Sequence, residues 1–267
     1  MFQLEIINLT FPLRFETGGI LARHASILDA LADSFSIRAP SKLTSLSLKN
    51  LRTYDLTSLE SSSFQAVLKN LRRLQLYMNH DRAEGIITSS DESDPCLPFW
   101  GTLFRRVVLN PTQHSLTELT LECNQLVSAL SGLSFAGLHF PYLCALSLRN
   151  IVFGPSVGVE SFILRHAATL ARLELVTCML PLNFNTGSSA RPIYWAHIWD
   201  SFAVELTALV ALHVNVTSTS GLKLRYVLTG PKRRTNAPEH VDAADGAALR
   251  QLYATVATRS KEARNTS

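Results

Sequence analysis

The stretch Leu143-Cys144-Ala145-Leu146-Ser147-Leu148-Arg149-Asn150 spaces its leucines three and two residues apart and ends on an asparagine. In a short strand, alternate side chains point to opposite faces, so Leu146 and Leu148 share one face and Ser147 lies on the other. The leucine at 143 closes the turn into the strand. The stretch therefore predicts a short strand with one buried face.

The same spacing recurs along most of the chain. Copies of the motif begin at Leu43, Leu71, Leu116, Leu143, Leu170 and Leu209. A shortened copy, Leu4-x-Ile6-x-Asn8-Leu9, aligns Ile6 with Leu48, so the chain is expected to begin inside the array. The steps between copies run from 27 to 45 residues. The longer steps predict insertions, because repeats of this type usually measure about 20 to 29 residues.

Such a repeat predicts an α/β fold, a leucine-rich-repeat solenoid with irregular repeats. Short parallel strands line its concave face, and helices and loops form its convex face. Residues 1–217 are predicted to form the array, and residues 218–267 a polar loop and a C-terminal capping helix. An Asn or Cys after a strand can bond to the backbone of the neighbouring coil, which predicts an internal ladder of Asn50, Asn79, Asn124 and Cys178.

Segments with apolar residues at helical spacing lie between the strands. The predicted helices cover residues 20–35, 61–71, 159–170, the residues after Pro192, and 242–259. Serines suited to an N-cap open the second of these helices. The last helix would cover the open end of the array, because exposed ends of repeat arrays need such a cover. The polar stretches 88–95 and 183–189 predict loops.

Charge and cysteine usage narrow the classes of function. The net charge of +4 is mild, and the basic residues are scattered except for Lys232-Arg233-Arg234, so no nucleic-acid surface is expected. The four cysteines, Cys96, Cys123, Cys144 and Cys178, form no CxxC pair and have no His at zinc spacing. Free, mostly buried thiols in a reducing compartment, cytoplasmic or nuclear, are expected.

The stretch from Cys123 to Leu148 lacks charged residues and is long enough to cross a membrane. It nevertheless contains Asn124, Gln125 and Pro141, and its apolar residues recur at repeat spacing. Membrane spans are more uniformly apolar, so strands are expected here and no membrane partner.

One stretch comes close to a catalytic signature. Gly132-Leu133-Ser134-Phe135-Ala136 differs by one residue from the G-x-S-x-G nucleophile elbow, and Asp200 and His213 follow in hydrolase order. The context argues against a hydrolase, because the turn joins two repeat strands and no glycine-rich oxyanion loop precedes it. P-loop, G-x-G-x-x-G and HExxH patterns are also absent from the sequence. The chain is therefore expected to be no enzyme and to hold no metal or cofactor.

Three stretches resemble the repeat region of fungal F-box proteins. They are Phe162 to Leu175 with Cys178, Trp195 and Trp199 followed by Leu209 to Val214, and Asp245 to Arg259. The resemblance implies a substrate-recognition region of a cullin-RING ubiquitin ligase, in which an N-terminal F-box docks onto a Skp1-type adaptor. The F-box is missing from this sequence, since Leu97-Pro98 is followed by Phe99 and Trp100 and not by an acidic residue. The chain is expected to be either a fragment of such a protein or a repeat protein that does not dock.

Strand alternation also predicts a binding surface on the concave face. The predicted partner-binding residues are Lys49, Arg73, Gln75, Tyr77, Glu118, Glu122, Arg149, Arg172, Glu174 and His213, and Glu5, Ser45, Ser47, Thr120 and Ser147 are expected beside them. Tyr77, Arg73 and Arg149 are the strongest candidates, because Tyr and Arg often dominate interface energies. The alternative is that these residues are simply solvated.

Two functions remain open. The first is recognition of an unidentified protein substrate for a ubiquitin ligase, with a Skp1-type adaptor as partner if an F-box lies upstream. The second is a free-standing repeat scaffold or inhibitor without a role in a ligase. Both functions depend on protein binding.

Overall fold

The computed structural model describes residues 4–12, 20–37, 42–52, 57–79, 99–127, 132–182, 193–215, 225–228 and 239–265. The strands in this part of the chain are β1 (Ile6–Thr10), β2 (Ser45–Arg52), β3 (Arg73–Asn79), β4 (Glu118–Val127), β5 (Ala145–Ile151), β6 (Arg172–Val176), β7 (Met179–Leu182), β8 (Ala211–Asn215) and β9 (Arg225–Leu228). Seven of them form one sheet in the order β1-β2-β3-β4-β5-β6-β8, and each neighbouring pair is parallel. The strands β7 and β9 form a separate parallel pair.

Helices connect most of the strands. They are α1 (Ile20–Ile37), a 3₁₀ turn (Thr57–Glu60), α2 (Ser62–Leu68), a π-helix (Phe99–Leu109) that continues into one α-helical turn (Asn110–Thr112), α3 (Val159–Arg165), α4 (Trp195–Glu205) and α5 (Glu239–Asn265). The predicted α/β class with a mostly parallel sheet is confirmed.

The core lies between the sheet and these helices. The leucine pairs of β2 to β6 are all buried. Leu46, Leu48, Leu74 and Leu76 face the same interior space as Phe64, Phe104 and Val108. Burying one such leucine contributes about 1.5 to 3 kcal/mol, so the motif leucines stabilise the packing of the sheet on its helices.

The register expected for β1 is wrong. The sequence alignment matched Ile6 with Leu48, whereas the strand pairs Ile7 with Leu46 and Leu9 with Leu48. The difference is three residues, and an odd shift moves every side chain of a strand to the opposite face. Accordingly Leu4 and Ile6 are about half exposed, while Ile7 and Leu9 pack against the core.

Four helices predicted from apolar spacing are confirmed, α1, α2, α4 and α5. Helix α4 begins at Trp195, three residues after Pro192, and contains Trp199 and Phe202. Helix α1 covers the predicted 20–35, and α5 covers the predicted 242–259 and extends beyond it at both ends. Helix α2 begins after Ser61, whose Oγ accepts a hydrogen bond from the Phe64 amide as an N-cap, and it ends at Leu68, three residues before the predicted 71.

Helix α3 ends earlier than predicted. It stops at Arg165 although apolar spacing continues to residue 170. His166 leaves helical geometry with φ −103°, and the Leu170 amide then bonds to the His166 carbonyl at 2.8 Å. This turn still buries Leu170, so spacing alone does not reveal where the helix ends.

The π-helix was not predicted from the sequence. It lies within the longest step between motif copies, which was expected to be an insertion. Phe99 and Phe104, five residues apart, have ring centroids 5.4 Å apart, as the five-residue hydrogen-bond span of a π-helix allows. The Gln65 side chain of α2 donates to the Val107 carbonyl at 2.8 Å and ties the two helices together.

The C-terminal part of the chain packs against α4. The segment expected to be a polar loop contains β9, which pairs with β7. The Tyr253 hydroxyl of α5 accepts a hydrogen bond from the Val214 amide at 2.9 Å, so α5 contacts β8, the last strand of the main sheet.

Several predicted features lie outside the described residues. They are the loops 88–95 and 183–189, Pro192, Cys96, the Leu97-Pro98 dipeptide and Lys232 to Arg234. Within the described residues, none of the helices combines the length and the apolar composition that a bilayer crossing requires.

Candidate functional site

One face of the main sheet carries three rows of side chains that run across the strands. The register defines the first row as Ile6, Ser45, Arg73, Glu118, Ala145, Arg172 and Ala211, the middle row as Asn8, Ser47, Gln75, Thr120, Ser147, Glu174 and His213, and the third row as Thr10, Lys49, Tyr77, Glu122, Arg149, Val176 and Asn215. We call these residues the polar face. The parallel register brings all ten predicted partner-binding residues onto it, opposite the buried leucines.

The first row contains a charge network across four strands. Arg73 Nε donates to Glu118 Oε2 at 2.7 Å, and Arg73 Nη2 donates to Glu118 Oε1 at 3.1 Å. Arg172 Nη2 reaches the same Oε1 at 3.0 Å, passing over the small side chain of Ala145 on β5. Hydrogen bonds from Arg73 lower the pKa of the Glu118 carboxyl, and the bond to Glu118 raises the pKa of Arg73. The network therefore keeps Glu118 ionised.

The third row pairs charged and aromatic groups. The Lys49 ammonium lies 5.3 Å from the centroid of the Tyr77 ring, within the range of a cation–π contact. Glu122 is the register neighbour of Tyr77, and its Oε2 lies 3.2 Å from Arg149 Nε. Partial burial raises the pKa of the Glu122 carboxyl, and Arg149 counteracts that rise. Burial and the charge of Glu122 also raise the pKa of the Tyr77 hydroxyl, which stays protonated as a donor.

The middle row contains polar side chains of different lengths. Ser147 Oγ donates to Glu174 Oε2 at 2.9 Å, and His213 lies exposed at the β8 end. Ser45 and Ser47 were expected to be accessible, but they are 7% and 1% exposed. A serine side chain ends close to the backbone, so longer neighbours in adjacent positions cover it.

Glu5 does not belong to the polar face. It precedes β1, and its carbonyl accepts hydrogen bonds from the Thr44 and Ser45 amides at 3.0 and 3.2 Å. Because of the three-residue shift of β1, the residues on the polar face are Ile6, Asn8 and Thr10. The sequence held a signal for this register, since Ile7 and Leu9 also form an apolar pair.

The predicted asparagine ladder forms in part. Asn50 Nδ2 donates to the Phe11 carbonyl at 3.0 Å, and Cys178 Sγ lies 3.5 Å from the Leu148 carbonyl. Asn124 instead donates to the Asn79 side chain and is exposed, so the ladder is not internal there.

A residue outside the predicted ladder extends it. Asn150 Nδ2 donates to the Cys123 carbonyl at 2.6 Å, and its Oδ1 accepts from the Thr177 hydroxyl. The φ values are 59° for Asn50 near the end of β2, 58° for Asn150 near the end of β5 and 50° for Thr177 just after β6. This left-handed conformation is one that Asn tolerates well and the β-branched Thr does not.

The residues of the hydrolase alternative do not form a catalytic pair. Ser134 Oγ accepts a hydrogen bond from the Ala136 amide at 3.3 Å in the segment between β4 and β5. His213 lies on β8, where its register neighbour is Glu174. Between these two described residues, the nucleophile–base hydrogen bond that a hydrolase needs is not formed.

The described cysteines are free thiols. Burial raises the pKa of Cys123 to about 11 and that of Cys178 to about 12, so both remain protonated. A protonated thiol is a poor nucleophile and a poor metal ligand. In the part of the chain that the structure describes, no group of three or more His, Cys, Asp or Glu side chains is placed to hold a metal ion.

Comparison with known proteins does not assign the chain to a family. Neither the models of known protein families nor the curated proteins contain a match to the chain.

Proposed function

We propose that the chain is a leucine-rich-repeat solenoid that holds another protein on its polar face. The observation that carries the proposal is the alignment of polar side chains in three rows across seven parallel strands. Most of these side chains are at least partly exposed, while the leucines beside them are buried. A broad polar surface on a rigid sheet is suited to contact a protein surface.

The pairing of equivalent motif positions supports the repeat assignment. Leu74, Leu119 and Leu146 are register neighbours on β3, β4 and β5, although each comes from a different copy of the motif. Asn50 and Asn150, near the ends of β2 and β5, adopt the same left-handed conformation and donate to a neighbouring segment. Equivalent residues in equivalent environments are expected when each copy stacks only on its neighbours.

Within this architecture we propose that the chain is the substrate-recognition region of an F-box-type subunit of a cullin-RING ubiquitin ligase. The three stretches that resemble that family pack together. Strand β6 of the first stretch pairs with β8 of the second, as Leu173 does with Leu212, and Asp245 and Arg259 of the third both bond to α4 or its end. The resemblance therefore covers one packed unit of the fold.

The proposed mechanism is binding and proximity. The polar face would hold the substrate protein while other subunits of the ligase carry out ubiquitin transfer, so this chain supplies no catalytic group. Tyr77, Arg73 and Arg149 are proposed as the main contacts, because amphipathic rings and guanidinium groups often carry most of the binding energy at interfaces.

The first test asks whether the protein docks onto a ligase. The product of the whole gene is co-expressed with a Skp1-type adaptor and purified by size exclusion. Co-elution at a constant ratio is the expected result. Elution of the two proteins apart would contradict the ligase role, and a substrate that remains bound without any ligase subunit would favour the free-standing scaffold.

The second test asks whether the polar face is the binding surface. Partners cross-linked in cells are quantified by mass spectrometry for the wild type and for Tyr77→Ala. Recovery of the principal partner is expected to fall about tenfold, which corresponds to about 1.4 kcal/mol. Tyr142→Ala is the matched control, because Tyr142 is 62% exposed and lies in the turn before β5, outside the three rows. Equal recovery from Tyr77→Ala, Arg149→Ala and the control would contradict the proposal.

A further inference from the structure

The charged groups of the polar face differ in how far they reach into solvent. The side chains of Arg73 and Arg172 are 46% and 57% exposed, whereas that of Glu118, which lies between them, is 27% exposed. The same order holds in the third row, where Arg149 is 46% and Glu122 is 22% exposed. An approaching partner therefore meets guanidinium groups before it meets carboxylates.

The hydrogen-bonding capacity that remains on this surface consists mainly of donors. Glu118 already accepts three bonds, two on Oε1 and one on Oε2. A guanidinium has five N–H donors and no acceptor, and Arg73 uses two of them on Glu118 while Arg172 uses one. Most of the donors of this converging pair are available to a ligand, and their natural partners are carboxylate oxygens.

The shape of the face suits an extended segment. The middle row separates Arg73 and Arg172 from Lys49 and Arg149 in the outer rows. Its central side chains, Thr120 and Ser147, are small, and Gln75 and Glu174 lie on either side of them. The outer rows are four strand residues apart, about 13 Å, and the seven strands span about 29 Å. A chain of about nine extended residues could cross the sheet between two cationic borders.

We infer that the polar face recognises an acidic, extended peptide segment of its partner protein, and that Arg73 and Arg172 together bind one carboxylate of that segment. The inference rests on the proposed function and specifies the chemistry of the partner. A nucleic acid is a poorer match, because the cations of the polar face form two separate groups, Arg73 with Arg172 in the first row and Lys49 with Arg149 in the third, and not the continuous basic stripe that a phosphate backbone requires.

The test uses three labelled peptides of about twelve residues, which is long enough to cross the sheet. One alternates Glu and Gly, one alternates Gln and Gly, and one alternates Lys and Gly. Binding to the purified chain is measured by fluorescence anisotropy at low and high salt. The Glu peptide is expected to bind at least about tenfold more tightly than the Gln peptide, and high salt is expected to weaken its binding.

Two double variants locate the site. Arg73→Gln with Arg172→Gln is expected to weaken binding of the Glu peptide about tenfold, and Arg73→Lys with Arg172→Lys to weaken it less, because lysine keeps the charge and loses the planar fork. Lys69→Gln with Lys261→Gln is the matched control. It removes the same charge from two exposed residues, one in the turn after α2 and one in α5, and should leave binding unchanged.

Three outcomes would overturn the inference. They are equal binding of the Glu and Gln peptides, no saturable binding of the Glu peptide up to about 1 mM, and tighter binding of a single-stranded oligonucleotide of similar length through the same arginines. In each case, the proposed function would still hold if Tyr77→Ala reduces the recovery of the cross-linked partner. If recovery does not depend on Tyr77, the proposed function itself fails.

Discussion

His166 shows how a single buried side chain joins two segments of the chain. Its Nε2 accepts a hydrogen bond from the Phe140 amide at 2.9 Å, so the ring proton lies on Nδ1, which donates to the Phe162 carbonyl at 2.7 Å. The ring is only 2% exposed. Burial lowers the pKa of His166, and the nearby His139 and Arg165 lower it further. A protonated ring could no longer accept the bond from Phe140.

The stability of the protein should therefore depend on pH through His166. The unfolded chain binds a proton near pH 6.5, whereas the folded ring binds it only at lower pH. The contribution of this residue is complete above about pH 6.5 and is lost as the pH falls below that value. Urea unfolding of the wild type between pH 7 and pH 5 is expected to show a falling free energy of unfolding.

His166→Phe should remove part of this pH dependence. At pH 7 the variant should lose about 1 to 3 kcal/mol, because the buried Phe140 amide loses its acceptor. His24 also has a pKa lowered by burial, so the comparison with the wild type isolates the share of His166. His114→Phe, at an exposed histidine, is the control. An unchanged pH profile in His166→Phe would contradict this account.

At the scale of elements, α5 is fastened to both ends of α4. The Ala196 amide at the start of α4 donates to Asp245 Oδ1 at 2.8 Å, and the Tyr226 hydroxyl donates to the same carboxyl. At the other end, the Arg259 guanidinium donates to the Ala203 and Leu206 carbonyls at 2.7 and 2.8 Å. An acid at the N-terminus and a cation at the C-terminus of α4 also match its helix dipole.

Arg259→Ala should loosen this connection. Two carbonyls at the end of α4 lose a charged donor, so the free energy of unfolding is expected to fall by about 1 to 3 kcal/mol. Hydrogen exchange at the end of α4 should become faster at the same time. Lys261→Ala, at an exposed position of the same helix, should change neither quantity. Equal behaviour of the two variants would show that Arg259 does not fasten the helices.

For the whole molecule, the two faces of the sheet have separate roles. The leucine face holds the sheet against its helices through buried apolar contacts, as at Leu148, which is fully buried. The polar face carries exposed ion pairs, and such pairs contribute little to stability. Substitutions on the two faces should therefore differ in what they change.

Leu148→Ala and Arg172→Gln test this separation. The leucine variant is expected to lose about 2 to 5 kcal/mol, because it removes buried methyl groups and leaves a cavity. The arginine variant is expected to lose less than about 1 kcal/mol, since Arg172 is exposed. Both values come from urea denaturation at pH 7. A large loss in Arg172→Gln would contradict the separation of the two faces.

The sequence by itself determined the parallel strands, their buried leucines and the identity of the polar face from β2 to β8. These features depend on local alternation, which the spacing of leucines records directly. The helices α1, α2 and α5 follow from apolar spacing in the same way. All ten predicted binding residues reached the expected face because they share one register.

Only the tertiary structure decided how those residues meet. Glu118 joins Arg73 and Arg172 because the small Ala145 leaves room between their strands, and this contact links residues 54 positions apart. The register of β1 depends on which of its apolar pairs is buried beside the leucines of β2. The π-helix depends on the packing of its aromatic rings against α2. Such choices are set by packing between distant segments, which no local period encodes. The spacing of the leucines thus predicts the sheet and its buried face. The charged side chains of the polar face come together only when the strands pair.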